Sequence, residues 1–294
     1  MLSRIMVAII GIPVLIWILY SGGIPLLIFT NIIVGMATYE FYNMAEIGGK
    51  KPYKVMGILG ALAIPNILFL NQLGKIEIDN MFVFSMITVL LIGYRVLQNR
   101  VENSSGDLGV TLLGALYVSV LFSHVILISF LPNGGKWLLT AQIMVWVCDT
   151  FAYFIGLTIG RKIFKRGFSS ISPKKSIEGS LGGIFFTICS LYFLEKYFKL
   201  LENGDLGLFN IIIIGVFISI VAQIGDLGES MFKREFKVKD SGTILRGHGG
   251  ILDRFDSMLY VAPVVYYLLK IVVLYIKLLG EKLYSPCFFR RRKG

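Results

Sequence analysis

Long apolar runs, separated by short polar or glycine-containing links, dominate the hydropathy pattern of this chain. An α-helix needs about 20 apolar residues to cross the hydrocarbon core of a bilayer. Runs approaching that length occupy residues 3–20, 23–46, 54–71, 80–97, 108–130, 136–158, 179–200, 207–233 and 255–280. Such runs are too long for barrel strands, and only helices or closed barrels satisfy the backbone in lipid. The pattern predicts an all-α, polytopic transmembrane helical bundle of about nine spans.

Two connectors, at residues 161–178 and 233–254, are longer and more basic than the other links. Polar and charged residues beside apolar spans concentrate in the C-terminal half, where we expect a polar cavity that faces the cytoplasm. We therefore divide the chain into N-terminal helices, at 1–107 with about four spans, and a catalytic region, at 108–294 with about five spans.

Composition agrees with a membrane protein, since 55% of the 294 residues are hydrophobic and only 16% are charged. A soluble chain would be closer to a quarter charged. The net charge is +11, which in a soluble protein would raise nucleic-acid binding. Here cations gather in the loops predicted to be cytoplasmic, so we expect membrane lipids as partners and no nucleic acid. We predict a multi-pass integral protein, with a bacterial inner membrane as its location.

Four polar segments of the C-terminal half are candidates for chemistry. Asp149 and Tyr153 are four residues apart on the sixth span, so they share one helix face. Ser172-Pro173-Lys174-Lys175 precedes a helix predicted to begin at about Ser176, where lysines and a helix N-terminus favour phosphate. The alternatives are a structural hydrogen bond for Asp149 and lipid-facing lysines for the second segment.

Asp226 and Glu229 lie three residues apart on the eighth span and can face one cavity. Asp253 and Asp256 have the same spacing at the start of the ninth span, directly after the glycine-rich segment Gly247-His248-Gly249-Gly250. Magnesium takes hard oxygen ligands from one or two carboxylates and from substrate phosphates. Carboxylates from two helices could therefore meet around such an ion; an ion pair with a loop arginine is the alternative for Asp226 and Glu229.

In these segments the chain resembles the phosphatidate cytidylyltransferases, also called CDP-diacylglycerol synthases. The resemblance is specific over about residues 145–260 and includes the C-terminal signature from Ser230 to Asp256. Family segments also stand around Asp149-Thr150, Ser172-Pro173-Lys174-Lys175 and Gly225-Asp226-Leu227. The chain departs from the family at Arg246, where Pro is usual, and at Ser176, where Thr is usual.

The resemblance implies an enzyme that joins CTP and phosphatidic acid with the help of Mg²⁺, with a second, monovalent cation and a homodimer as further expectations. Its implied catalytic residues are Asp226, Asp253, Asp256, Lys174, Lys175 and His248. Its implied metal ligands are Asp226, Asp253, Asp256 and Glu229. The expected substrate-binding residues are Asp149, Tyr153, Ser172, Lys233, Arg234, Lys239, Gly249, Gly250 and Arg254.

Two other functions fit parts of the pattern. A CTP-dependent polyprenol or isoprenoid-alcohol kinase would use the same kind of polyphosphate site but would release CDP. A transporter with a charged midplane site would show inverted repeats and polar residues in both halves, whereas here they concentrate in one half.

Overall fold

A computed structural model describes residues 2–99, 101–165, 167–201, 205–243 and 249–284, with the side chains of residues 11–271 within these ranges. Helices make up most of this part of the chain, and no strand is present among its elements, so the all-α prediction is confirmed. The helices are α1 (Leu2–Ser21), α2 (Gly23–Ile47), α3 (Lys54–Gln72), α4 (Asn80–Leu97), α5 (Ser104–Ala115), α6 (His124–Ser129), α7 (Gly134–Thr158), α8 (Ile177–Phe198), α9 (Leu208–Glu235) and α10 (Leu252–Tyr284).

Each predicted span coincides with a helix to within about four residues, except that the fifth is divided. There α5 continues into one π-helical turn, Leu116–Val120, and then into the short α6. Seven segments of the described chain are long and apolar enough to cross a membrane, including Ser104–Ser129 taken as one. Residues Gly11–Ser21 form a shorter apolar helix. The polytopic architecture follows, while the number of spans stays a prediction.

Local sequence explains where the helices that border the site begin. Ser176 has an extended backbone, and its hydroxyl accepts a hydrogen bond from Gly179 N at 3.1 Å, which caps the first turn of α8. The aspartate at position 79 caps α4 in the same manner, by accepting from Met81 N at 3.1 Å. These short polar side chains supply acceptors for backbone N–H groups that the helix itself leaves unpaired.

Aromatic side chains pack α2 against α9 in the centre of the bundle. The Phe41 ring lies 5.2 Å from the Phe232 ring and 5.8 Å from the Phe236 ring, both edge-on, and all three side chains are buried. Tyr117, from the π-helical turn, lies 5.3 Å from Phe232. Close packing of this kind, rather than water exclusion, holds helices together in lipid. It places the N-terminal half directly against the helices that bear the candidate carboxylates.

A buried polar network joins the N-terminal helices at one end. Arg95 is buried at the end of α4, donates to the Tyr53 hydroxyl at 2.6 Å and lies 3.9 Å from the carboxylate of Asp107. That carboxylate also accepts a hydrogen bond from Lys51 N at 3.0 Å. The network joins α4, α5 and the link before α3, since each of its buried charges has partners from another segment.

Candidate active site

A cavity of about 450 Å³ opens between α7, α8 and α9. It contains acids, lysines and apolar side chains together, a combination suited to a charged ligand with an apolar portion. Its walls are formed by Asp149, Ala152, Tyr153, Gly156, Leu157, Phe168, Lys174, Lys175, Ser176, Ser180, Gln223 and Asp226. Five of the sequence-predicted site residues (Asp149, Tyr153, Lys174, Lys175 and Asp226) thus line one space, although they come from three separate segments of the chain.

Small residues bring α7 and α8 close together beside this cavity. A Cβ atom on Gly179 would lie 2.5 Å from the carbonyl oxygen of Ala152 and 3.2 Å from the Cα of Gly156. Such close contact leaves no room for a larger residue at position 179. The two helices therefore present their polar residues, Asp149 on α7 and Ser180 on α8, to the same cavity.

The connector before α8 is held in place by a carboxylate whose role the sequence analysis missed. Glu178 is buried, and its Oε1 accepts hydrogen bonds from Ile163 N at 3.0 Å and Phe164 N at 2.8 Å. Phe168 N donates to Lys175 O at 2.9 Å, which pairs the two ends of the connector. Lys174 and Lys175 therefore belong to a turn that hydrogen bonds hold in place on both sides.

Lys175 forms an ion pair across the cavity with the carboxylate of Asp226 on α9. Both side chains are about one-third exposed, at 32% and 33%, so the pair remains accessible from the cavity. A lysine held in this way is a point charge available to phosphate, and the aspartate is a hard oxygen donor available to a cation. The ion-pair alternative considered from the sequence is therefore present, with a lysine in place of an arginine.

Lys233 links two further carboxylates behind this pair. Its ammonium group lies 2.6 Å from Glu229 Oε2 and 2.7 Å from Asp253 Oδ1. Glu229 is completely buried, and its second oxygen, Oε1, has no hydrogen-bond partner among the described residues. Removal of any one of these three charges would leave a buried charge without full compensation, which is costly in free energy.

Asp253 also organises the loop that precedes α10. Its Oδ2 accepts from Gly250 N at 2.8 Å, from Ser241 N at 3.0 Å and from the Ser241 hydroxyl at 2.8 Å. Behind it, Glu40 of α2 accepts from Ile251 N at 3.0 Å and Leu252 N at 2.9 Å. Sequence reasoning missed Glu40 because an acid inside a largely apolar span gives no sign of its distant partners.

Asp256 completes the acidic group on α10. Its carboxylate interacts electrostatically with Asp226 and Glu229 of α9, and one of its oxygens accepts from Ser257 N at 2.6 Å. The structure thus places the acids of α9 and α10 at one interface, as the i, i+3 spacings in each helix allow. Within the described ranges, however, no three His, Cys, Asp or Glu side chains converge as a ready-made metal centre.

The remaining predicted site residues lie in the connector before α8, near the end of α9 and around the start of α10. The carbonyl of Ser172 accepts from Lys175 N at 3.1 Å within the connector, and the side chains of Arg234, Lys239 and Arg254 are exposed. Gly249 has a positive φ of 80°, which suits glycine, and Gly250 N is engaged by Asp253. His248 lies outside the described residues, so its predicted role is not addressed by this geometry.

Comparison with known proteins shows the family to which this chain belongs. The model of the cytidylyltransferase family matches residues 2–272. A phosphatidate cytidylyltransferase from Bacillus subtilis (strain 168) is 32% identical over 273 residues, which cover 92% of this chain and 97% of the relative. One from Staphylococcus haemolyticus (strain JCSC1435) is 37% identical over 268 residues, 90% of this chain and 98% of the relative. The chain therefore belongs to the cytidylyltransferase family and is an enzyme of the membrane.

Proposed function

We propose that this enzyme condenses CTP with phosphatidic acid to give CDP-diacylglycerol and pyrophosphate. Support comes from the printed names of its relatives, each a phosphatidate cytidylyltransferase aligned over about nine-tenths of the chain. The observation that carries the proposal is the cavity in which Lys175 pairs with Asp226 beside Lys174 and Asp149. Its charges suit a polyphosphate, and its helices are those of a membrane protein.

The chemistry requires two polyanions to meet. An oxygen of the lipid phosphate attacks the α-phosphorus of CTP in line, a new P–O bond forms, and the bond from that phosphorus to the β-phosphate bridge breaks. The electron pair leaves with pyrophosphate. A phosphate monoester has a second pKa near 6, so its nucleophilic oxygen is already ionised at neutral pH. Positioning and charge neutralisation, rather than a strong base, are what the protein must provide.

The lysines and glycines around the site provide that positioning. Lys175 and Lys174 lie at the cavity wall, where their ammonium groups can bind the phosphates of either substrate. Lys233 keeps Glu229 and Asp253 in a fixed relation. Gly249 leaves room for the Asp253 carboxylate, and Gly250 leaves room for Glu40 and donates its N–H to Asp253. The side chains of Arg234, Lys239 and Arg254 are exposed and are candidates for outer phosphate contacts.

The donor set also fits Mg²⁺, the cofactor that the resemblance implies. Asp226, Glu229, Asp253 and Asp256 are the carboxylates from which the ion would be held, and Glu229 Oε1 is a buried oxygen with no partner among the described residues. Magnesium usually takes one or two carboxylates and completes its shell with substrate phosphates and water. When bound, the ion would neutralise phosphate charge, and Lys175 lies at the cavity wall, where its ammonium group can bind the same phosphates.

The lipid substrate would reach the site without leaving the bilayer. Tyr153 and Leu157 line the cavity and are 65% and 67% exposed on the outer surface of α7. Apolar side chains at the mouth of a polar cavity suit a lipid whose headgroup enters while its acyl chains stay in the membrane. We place the polar side of the cavity in the cytoplasm, because the basic connectors that border it follow the positive-inside rule.

Incubation of purified protein with phosphatidic acid, Mg²⁺ and CTP labelled on its α-phosphate tests the proposal. We expect the label to enter the lipid extract, and CTP labelled on its γ-phosphate to release labelled pyrophosphate into the aqueous phase. Transfer of the γ-label to a lipid alcohol, with release of CDP, would identify a kinase instead. Flux of a solute through vesicles without CTP would favour a transporter.

The cofactor requirement is tested separately. We expect turnover to cease when a chelator removes divalent ions and to return when Mg²⁺ is added back in excess, because the two polyanions otherwise repel each other. Undiminished turnover in chelator would reject the metal-assisted mechanism while leaving the assignment of substrates to the labelling experiment.

A further inference from the structure

Glu40 is a buried carboxylate on the N-terminal helix α2, only 1% exposed, that contacts a loop more than 200 residues away. Oε1 accepts a hydrogen bond from Ile251 N at 3.0 Å, and Oε2 accepts one from Leu252 N at 2.9 Å. These N–H groups belong to the first turn of α10, where a helix leaves its donors unpaired and favours a negative charge. The cap of α10 is therefore supplied by a distant helix.

The loop packs tightly around this carboxylate. A Cβ atom on Gly242 would lie 2.5 Å from Glu40 Oε1, and one on Gly250 would lie 2.5 Å from Glu40 Oε2. Glycines on both sides thus let the backbone surround the carboxylate at hydrogen-bonding distance. Glu40 therefore holds two short stretches in place, residues 241–242 and residues 250–252.

Ser241 connects Glu40 to the candidate site. Its hydroxyl lies 2.8 Å from Asp253 Oδ2 and 3.3 Å from Glu40 Oε2. A hydroxyl has one proton to donate, so the shorter contact, to Asp253, is the stronger hydrogen bond. Asp253 in turn holds Gly250 N and Lys233. These contacts connect Glu40 of α2, through Ser241, to Asp253, which contacts Lys233. Lys233 lies between Asp253 and Glu229.

We infer that Glu40 is a positioning residue for catalysis, which fixes the Gly249–Leu252 turn and thereby orients Asp253 without touching substrate. The inference rests on the proposed function and adds to it a residue from the N-terminal half. Its physical basis is that displacement of a site by about 1 Å, even by a change remote from the chemistry, lowers turnover by up to about 100-fold. Loss of the Glu40 acceptors would displace this turn.

The Glu40→Gln variant tests this inference against a matched control, Glu195→Gln. Glu195 on α8 is 5% exposed and accepts hydrogen bonds from Leu200 N at 3.2 Å and Leu206 N at 3.1 Å, so it holds a loop in the same way away from the site. In both variants an amide NH₂ replaces one acceptor and faces a backbone donor. We expect kcat per folded protein to fall about 10- to 100-fold in Glu40→Gln and to stay unchanged in Glu195→Gln.

Two further variants separate positioning from folding. Glu40→Asp keeps two acceptor oxygens on a shorter side chain, so it should recover part of the kcat that Glu40→Gln loses. Ser241→Ala combined with Glu40→Gln should cost less than the two single changes added together, because both act on the same turn. Equal kcat values for wild type and folded Glu40→Gln, or full additivity with Ser241→Ala, would overturn the inference.

Amide hydrogen exchange gives a readout that does not depend on activity. We expect exchange at Ile251 and Leu252 to become about tenfold faster or more in Glu40→Gln and to be unchanged in Glu195→Gln, since the acceptor lost in the latter serves Leu200 or Leu206 instead. Unchanged exchange at these amides would contradict the positioning role even if the labelling experiment failed. A wild type that makes no CDP-diacylglycerol, with the expected exchange pattern, would instead reject the proposed function alone.

Discussion

Asp226 and Glu229 lie one helical turn apart on α9, yet their surroundings differ. The Asp226 carboxylate pairs with Lys175 at the cavity wall and stays about one-third exposed. The Glu229 carboxylate is fully buried against Lys233. An exposed ion pair exchanges its partner for a ligand at little cost, whereas a buried one does not. We therefore expect Asp226 to exchange Lys175 for a ligand more readily than Glu229 exchanges Lys233.

Replacement of Asp226 by Asn should lower kcat by about 100-fold or more, because it weakens an oxygen ligand proposed for the Mg²⁺ that would neutralise the reacting phosphates. The protein should remain folded, since a partly exposed pair contributes at most about 1 kcal/mol. Steady-state kinetics and thermal unfolding in detergent measure the two effects. Glu46→Gln is the control, because Glu46 forms a comparably exposed pair with Lys54 away from the site. Near-normal turnover of Asp226→Asn would remove it from the ligand-binding set.

Replacement of Lys233 by Met should destabilise the protein by about 3–5 kcal/mol, because two carboxylates would be left without their shared cation in a buried setting. Unfolding in detergent at fixed pH measures this effect. The exposed Lys196, whose ammonium lies 4.8 Å from the Tyr192 ring, offers a control in which Lys196→Met costs less than about 1 kcal/mol. Similar costs in the two variants would contradict the account of the Lys233 pair.

At the same residue scale, the sequence identified the acids of α9 and α10 from their spacing and their cost in an apolar span. It did not identify Glu40 or the backbone contacts of Glu178. Neither residue has a polar neighbour in sequence that reveals its partner, and their donors are backbone N–H groups of distant or irregular segments. Only the tertiary structure shows which backbone donors each of these two carboxylates accepts from.

At the scale of helices, the relation of α7 to α8 determines the shape of the cavity. Gly156 lies in α7, and Gly160 lies just after its end. Both lie close to Ser176, directly before α8, and Gly156 also lies close to Gly179 of α8. Gly156 and Gly160 have a four-residue spacing typical of helix contacts, and so do Gly179 and Gly183. Their pairing with each other could not be inferred, since that spacing is common in membrane bundles.

Gly179→Val should separate α7 from α8, because its added carbon atoms meet the backbone of Ala152 at 2.5 Å or less. We expect a loss of stability of about 1–3 kcal/mol, typical of overpacking, together with a higher KM for CTP as Asp149 and Lys175 move apart. Gly93→Val on α4 controls for helix propensity, because no atom lies within 4 Å of a Cβ at that position. Equal behaviour of the two variants would contradict the close-packing account.

The helix boundaries were predictable because runs of apolar residues end at glycine, proline or charged links. The fifth span was the exception, where a π-helical turn at Leu116–Val120 interrupts an apolar run with no proline or glycine inside the turn. A hydropathy pattern reports length and burial in lipid but not the hydrogen-bond register within a helix.

At the scale of the whole molecule, the N-terminal helices and the catalytic region form one packed body around α2. Phe41 and Glu40 of α2, adjacent in sequence, contact α9 and the first turn of α10 respectively. The sequence-based division at residue 107 describes where the polar motifs lie. It does not describe how the core is built, because the apolar spans alone cannot indicate which helices touch.

The orientation in the membrane is testable with single cysteines in a cysteine-free background. Lys162 lies in the basic connector after α7, and Lys75 lies in the link between α3 and α4; both are exposed. A membrane-impermeant maleimide should label Lys75→Cys in intact cells and Lys162→Cys only in inverted vesicles, as the positive-inside rule requires. The reverse pattern would place the cavity on the opposite side of the membrane.

The central claim is that CTP and phosphatidate meet in the cavity between α7, α8 and α9. An experimental structure with Mg²⁺ and a non-hydrolysable CTP analogue tests it most directly. We expect the triphosphate density within hydrogen-bonding distance of Lys174 or Lys175, with the ion on Asp226 and its neighbouring carboxylates. A nucleotide bound elsewhere, with the Lys175–Asp226 pair intact and no ligand in the cavity, would contradict the account.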